Sequence, residues 1–382
     1  MGGPSFNCQT TNLCIICTVR SSRQKGARIW GDAMERMTRK STAWDVAEKA
    51  GVSQSTVSRV FTGSTRISDP TRERVLLAAK ELDYIPDKRA SRLRSGQTGV
   101  VAVVVITRTD DSASEVNPFA YVLLGSVCRA ASAMGYETLV SFQASEDQFY
   151  GRYVEQRDAD ALIVIGTTQN PQAWAHFEPV LHGDDSAICW GLPFDDVRSV
   201  RSDNQLGGKI AAEHLWNLGY RNPVFLGPIE QSQRQFHERY KGFVDRLEAL
   251  GGKAHVMRYL SDTNRFEQGR EAIARLEQEG RSYDSIFAAC DFIALGALEA
   301  LSERGVSIPD QVGIVGYDGI AATKHANPPI TTIRPDLEEA GRLLVAQVLG
   351  SPEQAADAQT PPQASPQLAP VELIERSSTT KR

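Results

Sequence analysis

The sequence predicts a small all-α helix-turn-helix headpiece followed by a large α/β core of two lobes, each built on a doubly wound parallel sheet. Short apolar stripes at helical spacing occupy residues 41–86, whereas β-branched runs alternate with helical stretches in two comparable halves from residue 99 to 376. Residues 38–96 carry 12 Lys and Arg against 7 Asp and Glu, but residues 97–382 carry 25 against 38. Only the basic amino-terminal segment is therefore expected to contact a polyanion.

Three helices are predicted within residues 41–86. Thr42, with Asp45 in the first turn, is expected to cap a first helix that ends at Gly51, and Ser53 to cap a second after a three-residue turn. The third begins at Ser68–Pro70 and ends near Tyr84–Pro86. The side chains expected to face inward are Val46, Ala47, Ala50, Val57, Val60, Val75, Leu76, Ala79 and Leu82. Two short helices joined by such a turn indicate a helix-turn-helix.

The second helix has a polar face that suits DNA. Gln54, Ser55, Ser58 and Arg59 lie at helical positions i, i+1, i+4 and i+5. Gln pairs well with adenine, Arg with guanine, and Ser with any base edge or with phosphate. An ordinary solvated helix face is the alternative interpretation of these four residues alone.

The same segments resemble the DNA-binding headpiece of the lactose-repressor (LacI/GalR) family. The resemblance is dense over about fifty residues and more specific than a generic helix-turn-helix. It is carried by Asp45-Val46-Ala47, Ala50-Gly51-Val52-Ser53, Thr56-Val57-Ser58-Arg59-Val60, Thr71-Arg72-Glu73 and Tyr84-Ile85-Pro86.

Residues 89–96 resemble the hinge helix of that family, within a linker over residues 87–98. By that resemblance Leu93 is the apolar wedge inserted between base steps in the minor groove. The basic residues near it, Lys88, Arg89, Arg92 and Arg94, suit the flanking phosphates. Thr42 and Ala90 complete the expected DNA-contacting set, and a linker position without a role is the alternative for Leu93.

The core is predicted to hold parallel strands separated by helices. The strands expected are 100–106, 138–141, 161–165, 187–190, 224–226, 255–258, 285–288, 312–317 and 371–376. The helices expected are 119–134, 205–218, 239–250, 270–278 and 292–304.

The family resemblance extends through this core and implies a fold similar to that of periplasmic sugar-binding proteins. It is carried by Asp203-Asn204, Gly207-Gly208, His214-Leu215, Leu218-Gly219, Gly242-Phe243, Gly316-Tyr317-Asp318 and Thr331-Thr332-Ile333. The effector-binding and dimerisation domain is placed at residues 99–376. Within it the Pro-, Gln- and Ala-rich residues 351–369 are expected to be a flexible insertion, and residues 377–382 a tail.

Five residues are expected to bind an effector between the lobes, where the carboxyl ends of the strands meet. Asp291 follows a strand directly, so its carboxylate should face the cleft, and Arg239 matches the ligand-binding arginine of the family. Phe119, after Asn117, and Trp190, at a strand end, suit the flat faces of a sugar or base ring. A helix cap, a surface ion pair and two core aromatics are the structural alternatives.

Residues 1–40 are predicted to be a disordered extension, and Met34 and Met37 are alternative starts. Cys14 and Cys17 form a lone C-x-x-C without a fourth ligand, so neither a metal site nor a cofactor is expected. No apolar run reaches the roughly 18–20 residues of a membrane span, and no signal peptide is convincing, which favours a cytoplasmic protein.

These features together predict a homodimeric transcriptional regulator, expected to be a repressor, that reads a near-palindromic operator and is switched by a small molecule. By resemblance the effector is a sugar or sugar derivative, with nucleosides and purines as alternatives. A periplasmic-type sugar-binding protein without DNA activity would have no use for residues 41–96. An enzyme is disfavoured because the core has no Gly-rich phosphate loop and no G-x-S-x-G elbow.

Overall fold

The computed structural model of the protein describes residues 41–86, 96–108, 116–166, 170–183, 185–191, 197–257, 263–350 and 366–380. The chain divides into two compact units, residues 1–94 and residues 95–382. The predicted extension 1–40 with its three cysteines, most of the linker, and residues 351–365 lie outside the described residues.

The first unit contains three helices, α1 (Ala43–Ala50), α2 (Gln54–Phe61) and α3 (Asp69–Glu81). Eight of the nine residues predicted to face inward are buried or half-buried in its core. The exception is Leu76, which is 47% exposed. The inward stripe of α3 follows the i, i+3, i+4, i+7 pattern and consists of Val75, Ala78, Ala79 and Leu82. Leu76 comes one residue after Val75 and therefore lies about 100° around the helix from it. The inward position expected for Leu76 was therefore wrong, and Ala78 lies in the core.

The second unit contains two largely parallel sheets, as predicted, and each has six strands. The first lobe holds β1 (Val100–Ile106), β2 (Glu137–Gln143), β3 (Ala161–Ile165), β4 (Ala187–Trp190), β5 (Ser199–Ser202) and β11 (Gln367–Ala369). The second holds β6 (Pro223–Leu226), β7 (His255–Met257), β8 (Ser285–Ala288), β9 (Gly313–Tyr317), β10 (Thr331–Pro335) and β12 (Val371–Ile374). The observed pairs are parallel except β10 with β12, which is antiparallel.

Helices cover both sheets. They are α4 (Pro118–Ala133), α5 (Pro171–Gly183), α6 (Asn204–Asn217), α7 (Arg234–Ala249), α8 (Arg265–Gln278), α9 (Asp291–Glu303), α10 (Ala321–His325) and α11 (Leu337–Leu349). Helices α7 and α8 each begin five residues before their predicted starts. Among the described helices, none combines the length and the apolar character that a membrane crossing requires.

The chain passes between the lobes three times, after β5, after β10 and after β11. The three crossings lie side by side, because the Asp203 N–H donates to the Ala369 carbonyl (3.0 Å) and the Asp336 N–H to the Pro370 carbonyl (2.9 Å). Three narrow connections give two lobes that can change their relative orientation with few contacts broken.

The carboxyl-terminal segment corrects two predictions. Residues 367–369, assigned to the flexible insertion, form the edge strand β11 beside β5. Ser378 and Thr379, assigned to a tail, are fully buried, and Ser378 Oγ donates to the Ile314 carbonyl (2.6 Å). Both segments are too short to show a strand pattern in sequence, so only their hydrogen bonds to neighbouring strands reveal them.

Candidate functional site

The four polar residues predicted to read DNA share the outer surface of α2. Ser53 caps this helix by accepting a hydrogen bond from the Thr56 N–H (3.2 Å), and Val57 and Val60 anchor it to the core. Gln54, Ser55 and Arg59 are exposed, and Ser58 is half-buried. The helix is therefore anchored on one side and exposes Gln54, Ser55 and Arg59 on the other, where the Ser55 hydroxyl shares a hydrogen bond with that of Ser53 (2.8 Å).

Thr42 and Asp45 form a capping box at the start of α1. The Thr42 hydroxyl and backbone N–H both donate to Asp45 Oδ2 at 2.7 Å, and the Asp45 N–H donates back to the hydroxyl at 3.4 Å. The Thr42 hydroxyl is thus engaged in hydrogen bonds within the protein. Its neighbour Trp44 is 69% exposed, an aromatic group that sequence reasoning did not single out. Three other expected DNA-contacting residues, Arg89, Ala90 and Leu93, lie outside the described residues.

In the second unit, Arg239 lies buried at the carboxyl ends of the second-lobe strands. Its guanidinium donates to Asn204 Oδ1 (3.0 Å) and to the carbonyl of Ala289 (2.6 Å), and lies 3.2 Å from Asp318 Oδ1. Its Cζ is 3.5 Å from the centroid of the Tyr317 ring. Four fixed partners hold the charge in one orientation, as charge-assisted recognition requires.

Glycines at the α6–α7 contact place Arg239. A Cβ on Gly208 would overlap the backbone of Arg239, and one on Gly242 would overlap the backbone of Gln205. The two helices consequently pack backbone to backbone, which sets how far α7 projects Arg239 toward the end of β9. The family-like pairs Gly207-Gly208 and Gly242-Phe243 thus have a steric explanation.

Asp318, directly after β9, is a functional residue that the sequence analysis quoted only as part of a motif. Its φ of 115° is a strained conformation for a residue with a side chain, and such strain is concentrated at functional sites. Burial raises its pKa to about 6, although Arg239 and Arg265 pull it down, as does a hydrogen bond from Asn117. Asn117 belongs to the first lobe, so its approach to Asp318 brings polar groups of the two lobes together across the cleft.

The aromatic pair Phe119 and Trp190 lies on the first-lobe side of the cleft. Their ring centroids are 5.8 Å apart, and Trp190 is almost fully buried in the core beneath α4, while Phe119 is half-buried. Next to Trp190, Gly191 leaves room for the side chain of Gln235 from the second lobe. Phe119 thus offers a flat apolar wall, and Trp190 mainly supports it.

Asp291 is not open to the cleft, which corrects the expectation that its carboxylate faces a ligand there. It is fully buried; one oxygen accepts from the Ile320 N–H (2.8 Å) and the other from the Thr332 hydroxyl (2.7 Å). Burial, and then the nearby charge of Asp318, raise its pKa. Asp291 therefore holds the loop after β9, which includes Asp318, in place from below.

Two further groups occupy the second-lobe side. Arg265, the first residue of α8, donates to Gln268 Oε1 (2.8 Å) and Gln233 Oε1 (2.7 Å). It was missed because the helix was expected to start five residues later. Burial raises the pKa of the Cys290 thiol to about 12, which leaves it protonated and consistent with its not being assigned as a nucleophile.

Two family models match the chain. "Bacterial regulatory proteins, lacI family" matches residues 42–87, and "Periplasmic binding protein-like domain" matches residues 212–379. The HTH-type transcriptional regulator CelR of Thermobifida fusca is 31% identical over 328 residues, covering 83% of this chain and 94% of that protein. The ribose operon repressor of Escherichia coli (strain K12) is 27% identical over 342 residues, covering 88% and 99%.

Solved structures show the same similarity. A complex of the transcriptional regulator CelR with cellobiose superimposes with a TM-score of 0.61 at 26% identity, covering 88% of this chain and 99% of that one. A Lac repressor dimer bound to operator and the anti-inducer ONPF gives a TM-score of 0.69 at 25% identity, covering 90% and 100%. The predicted headpiece and two-lobed core are thus confirmed as a combination found together in these regulators.

Proposed function

This chain belongs to the lacI family of bacterial regulatory proteins and is a DNA-binding transcriptional regulator, and on that premise we propose that it is a repressor switched by a small-molecule effector bound between its two core lobes. The observation that carries the proposal is the approach of Asn117, in the first lobe, to Asp318, in the second, beside the buried Arg239. A ligand at this point contacts both lobes at once. Its binding therefore favours one lobe arrangement over another.

Operator reading is assigned to the exposed face of α2 in the major groove. Arg59 suits guanine, Gln54 suits adenine, and Ser55 and Ser58 suit base edges or phosphate. Thr42 contributes indirectly, by capping α1, since its hydroxyl and its backbone N–H are both held by Asp45. The proposed hinge residues Arg89, Ala90 and Leu93 contact the minor groove and its phosphates.

The effector is proposed to be a sugar or sugar derivative. CelR has been solved with cellobiose, and a second relative is named for a ribose operon. Arg239 and Asn117 would bind polar groups of the ligand, Phe119 would stack on its ring, and Trp190 would support Phe119. Asp291 acts indirectly, through the loop that carries Asp318.

The functional unit is proposed to be a homodimer. The edge strand β2 and the neighbouring helix α4 expose several apolar side chains: Tyr121, Val122, Leu139, Val140 and Phe142. An exposed apolar strand at a sheet edge is a surface that proteins normally cover. The related Lac repressor was solved as a dimer on its operator, and two-fold symmetry of the protein matches a near-palindromic site.

We assign no enzymatic activity to the chain, and we place its action on DNA in the cytoplasm. The relatives reported above are named as transcriptional regulators and an operon repressor. The alternative of a periplasmic-type binding protein without DNA activity would leave the family-matched residues 42–87 without a role.

The DNA-reading half is tested by selecting binding sites from random DNA with the full-length protein and measuring affinity for the selected palindrome and for a scrambled duplex. Arg59→Ala should weaken binding to the palindrome by roughly 1–3 kcal/mol and change the scrambled duplex little. Arg74→Ala, an exposed arginine on α3, is the matched control for loss of one positive charge. Equal losses on both duplexes for Arg59→Ala would contradict base reading.

The switch is tested by titrating cellobiose and ribose into the labelled protein–palindrome complex. A sugar effector should change operator affinity by about 5–150-fold, the range that 1–3 kcal/mol of coupling allows. Binding of a sugar without any change in operator affinity would contradict the proposed switch.

A further inference from the structure

The described part of the cleft concentrates positive charge. Arg239 and Arg265 approach the same aromatic ring, with their Cζ atoms 5.2 and 4.7 Å from the centroid of Phe236. A third guanidinium, that of Arg108, follows β1 of the first lobe and is close enough to lower the pKa of Arg265. Three like charges from both lobes thus lie around one site.

Arg265 is less compensated by negative charge than Arg239, which pairs with Asp318. Its two hydrogen-bond acceptors, Gln233 Oε1 and Gln268 Oε1, are neutral amide oxygens. Among the described residues, no carboxylate lies within ion-pair distance of its guanidinium. Burial is the largest cause lowering the pKa of Arg265; Arg108 and Arg239 also lower it, whereas Cys290 and Asp318 raise it, so on balance the site stabilises this charge less than water does.

The acids near the site do not balance these arginines. Asp318 is the carboxylate that pairs with Arg239, and its own pKa is raised to about 6. Asp291 lies beneath the loop and directs its oxygens to Ile320 and Thr332. Glu238, on the same helix as Arg239, is shared by Arg201 and Arg234.

We propose that the effector is an anionic carbohydrate, with a carboxylate or phosphate group bound by the guanidinium of Arg265 and the sugar ring stacked on Phe119. The inference rests on the effector role proposed above and makes it more specific. A guanidinium binds carboxylate or phosphate oxygens through two parallel N–H donors, a geometry that a neutral hydroxyl cannot match. The amide oxygens of Gln233 and Gln268 fix the plane of that guanidinium and so orient the anionic group.

The test compares neutral and anionic members of the same sugar series by calorimetric titration of the full-length dimer. The probes are glucose, glucuronate and glucose 6-phosphate, the corresponding galactose series, and cellobiose with cellobionate, all at constant ionic strength. At least one anionic member should bind ten times or more tighter than its neutral parent. A preference for the carboxylate or for the phosphate member identifies which anionic group the site takes.

Two substitutions on α8 separate binding by Arg265 from general charge effects. Arg265→Gln should weaken the anionic probe tenfold or more, whereas Arg275→Gln, an exposed arginine at the other end of the helix, should leave it unchanged. Arg265→Lys keeps the charge but loses the paired donors and should give an intermediate affinity. Melting temperatures of all variants show whether each remains folded.

The outcomes are distinct. Tighter binding of a neutral sugar than of its anionic partners, or no binding by any anionic probe, overturns the anionic effector. If a neutral sugar then shifts operator affinity, the proposed function stands without an anionic effector. If an anionic probe binds through Arg265 but does not change affinity for the selected palindrome, the ligand class is supported and the proposed switch fails.

Discussion

Replacing Asp318 with asparagine should stabilise the protein above neutral pH, although it removes the carboxylate of a buried ion pair. Asp318 is only 8% exposed, and its pKa rises from 3.8 to about 6 even with Arg239 3.2 Å away. The neutral side chain is therefore preferred by its surroundings. A tenfold change in an ionisation constant is worth about 1.4 kcal/mol, so this rise corresponds to about 3 kcal/mol.

The direction in which stability changes with pH follows from proton binding at Asp318. Because the pKa is higher in the folded state, the folded protein binds more protons at Asp318 than the unfolded chain between about pH 4 and pH 6. The stabilising contribution is complete below the unfolded pKa of 3.8 and is lost as the pH rises through about 6. The asparagine side chain of the variant mimics the protonated carboxyl at every pH, and asparagine also tolerates a positive φ better than most residues.

The assay is urea unfolding of wild type and Asp318→Asn at pH 5.0 and pH 8.0. The variant should be more stable by about 3 kcal/mol at pH 8.0, and by roughly half as much at pH 5.0. Comparing the free energies of unfolding of the two proteins at each pH removes the contributions of other groups, because those groups titrate similarly in both.

The opposite result has a clear physical meaning. Breaking a buried ion pair commonly costs 3–5 kcal/mol because the remaining charge is stranded. Arg239 retains its contacts with Asn204, Ala289 and the Tyr317 ring, so its charge is not stranded in the variant and we expect no such cost. A variant destabilised by more than about 1 kcal/mol at pH 8.0 would refute the reasoning, since the ion pair would then outweigh burial of the charge.

Two further substitutions test local assignments. Thr42→Ala removes the capping box of α1 and should lower the stability of the headpiece by about 1 kcal/mol, measured by thermal melting. Ser64→Ala is the control, because Ser64 does not cap a helix. Equal losses of stability in the two variants would argue against the cap. Asp291→Ala leaves the buried Ile320 N–H and Thr332 hydroxyl without their acceptor and should cost about 2–4 kcal/mol and the effector response, while operator binding persists. Asp291→Asn keeps one oxygen that can accept from the Ile320 N–H and places an NH2 group that can donate to the Thr332 hydroxyl oxygen, so it should retain effector affinity within about threefold; a larger loss would indicate direct contact of the carboxylate with the ligand.

The headpiece was predictable because its determinants are local. Caps at Thr42 and Ser53, the left-handed Gly51 and the stripe through Val57 and Val60 are set by neighbours within one or two helical turns. Leu76 shows the limit: it and Val75 are adjacent apolar residues on one helix, and only packing against α1 and α2 decides which faces inward.

In the core, long β-branched runs such as β1 and β3 could be predicted to the residue, because a strand buried on both faces is continuously apolar. Three strands, β5, β10 and β11, were not predicted. The three residues of β11 have no such pattern and are ordered by pairing with β5, more than 160 residues earlier in the chain.

The amino-acid sequence by itself determined the class of the protein, the two-lobed core and the choice of Arg239, Asn117 and Phe119 as candidate ligand contacts. The tertiary structure alone decided which charges meet. Asp291 follows a strand toward the cleft, yet it lies beneath a loop, whereas Asp318 and Arg265 converge from separate elements on the site of Arg239. Burial and charge pairing depend on groups distant in the chain, so the electrostatic character of the cleft is a property of the fold.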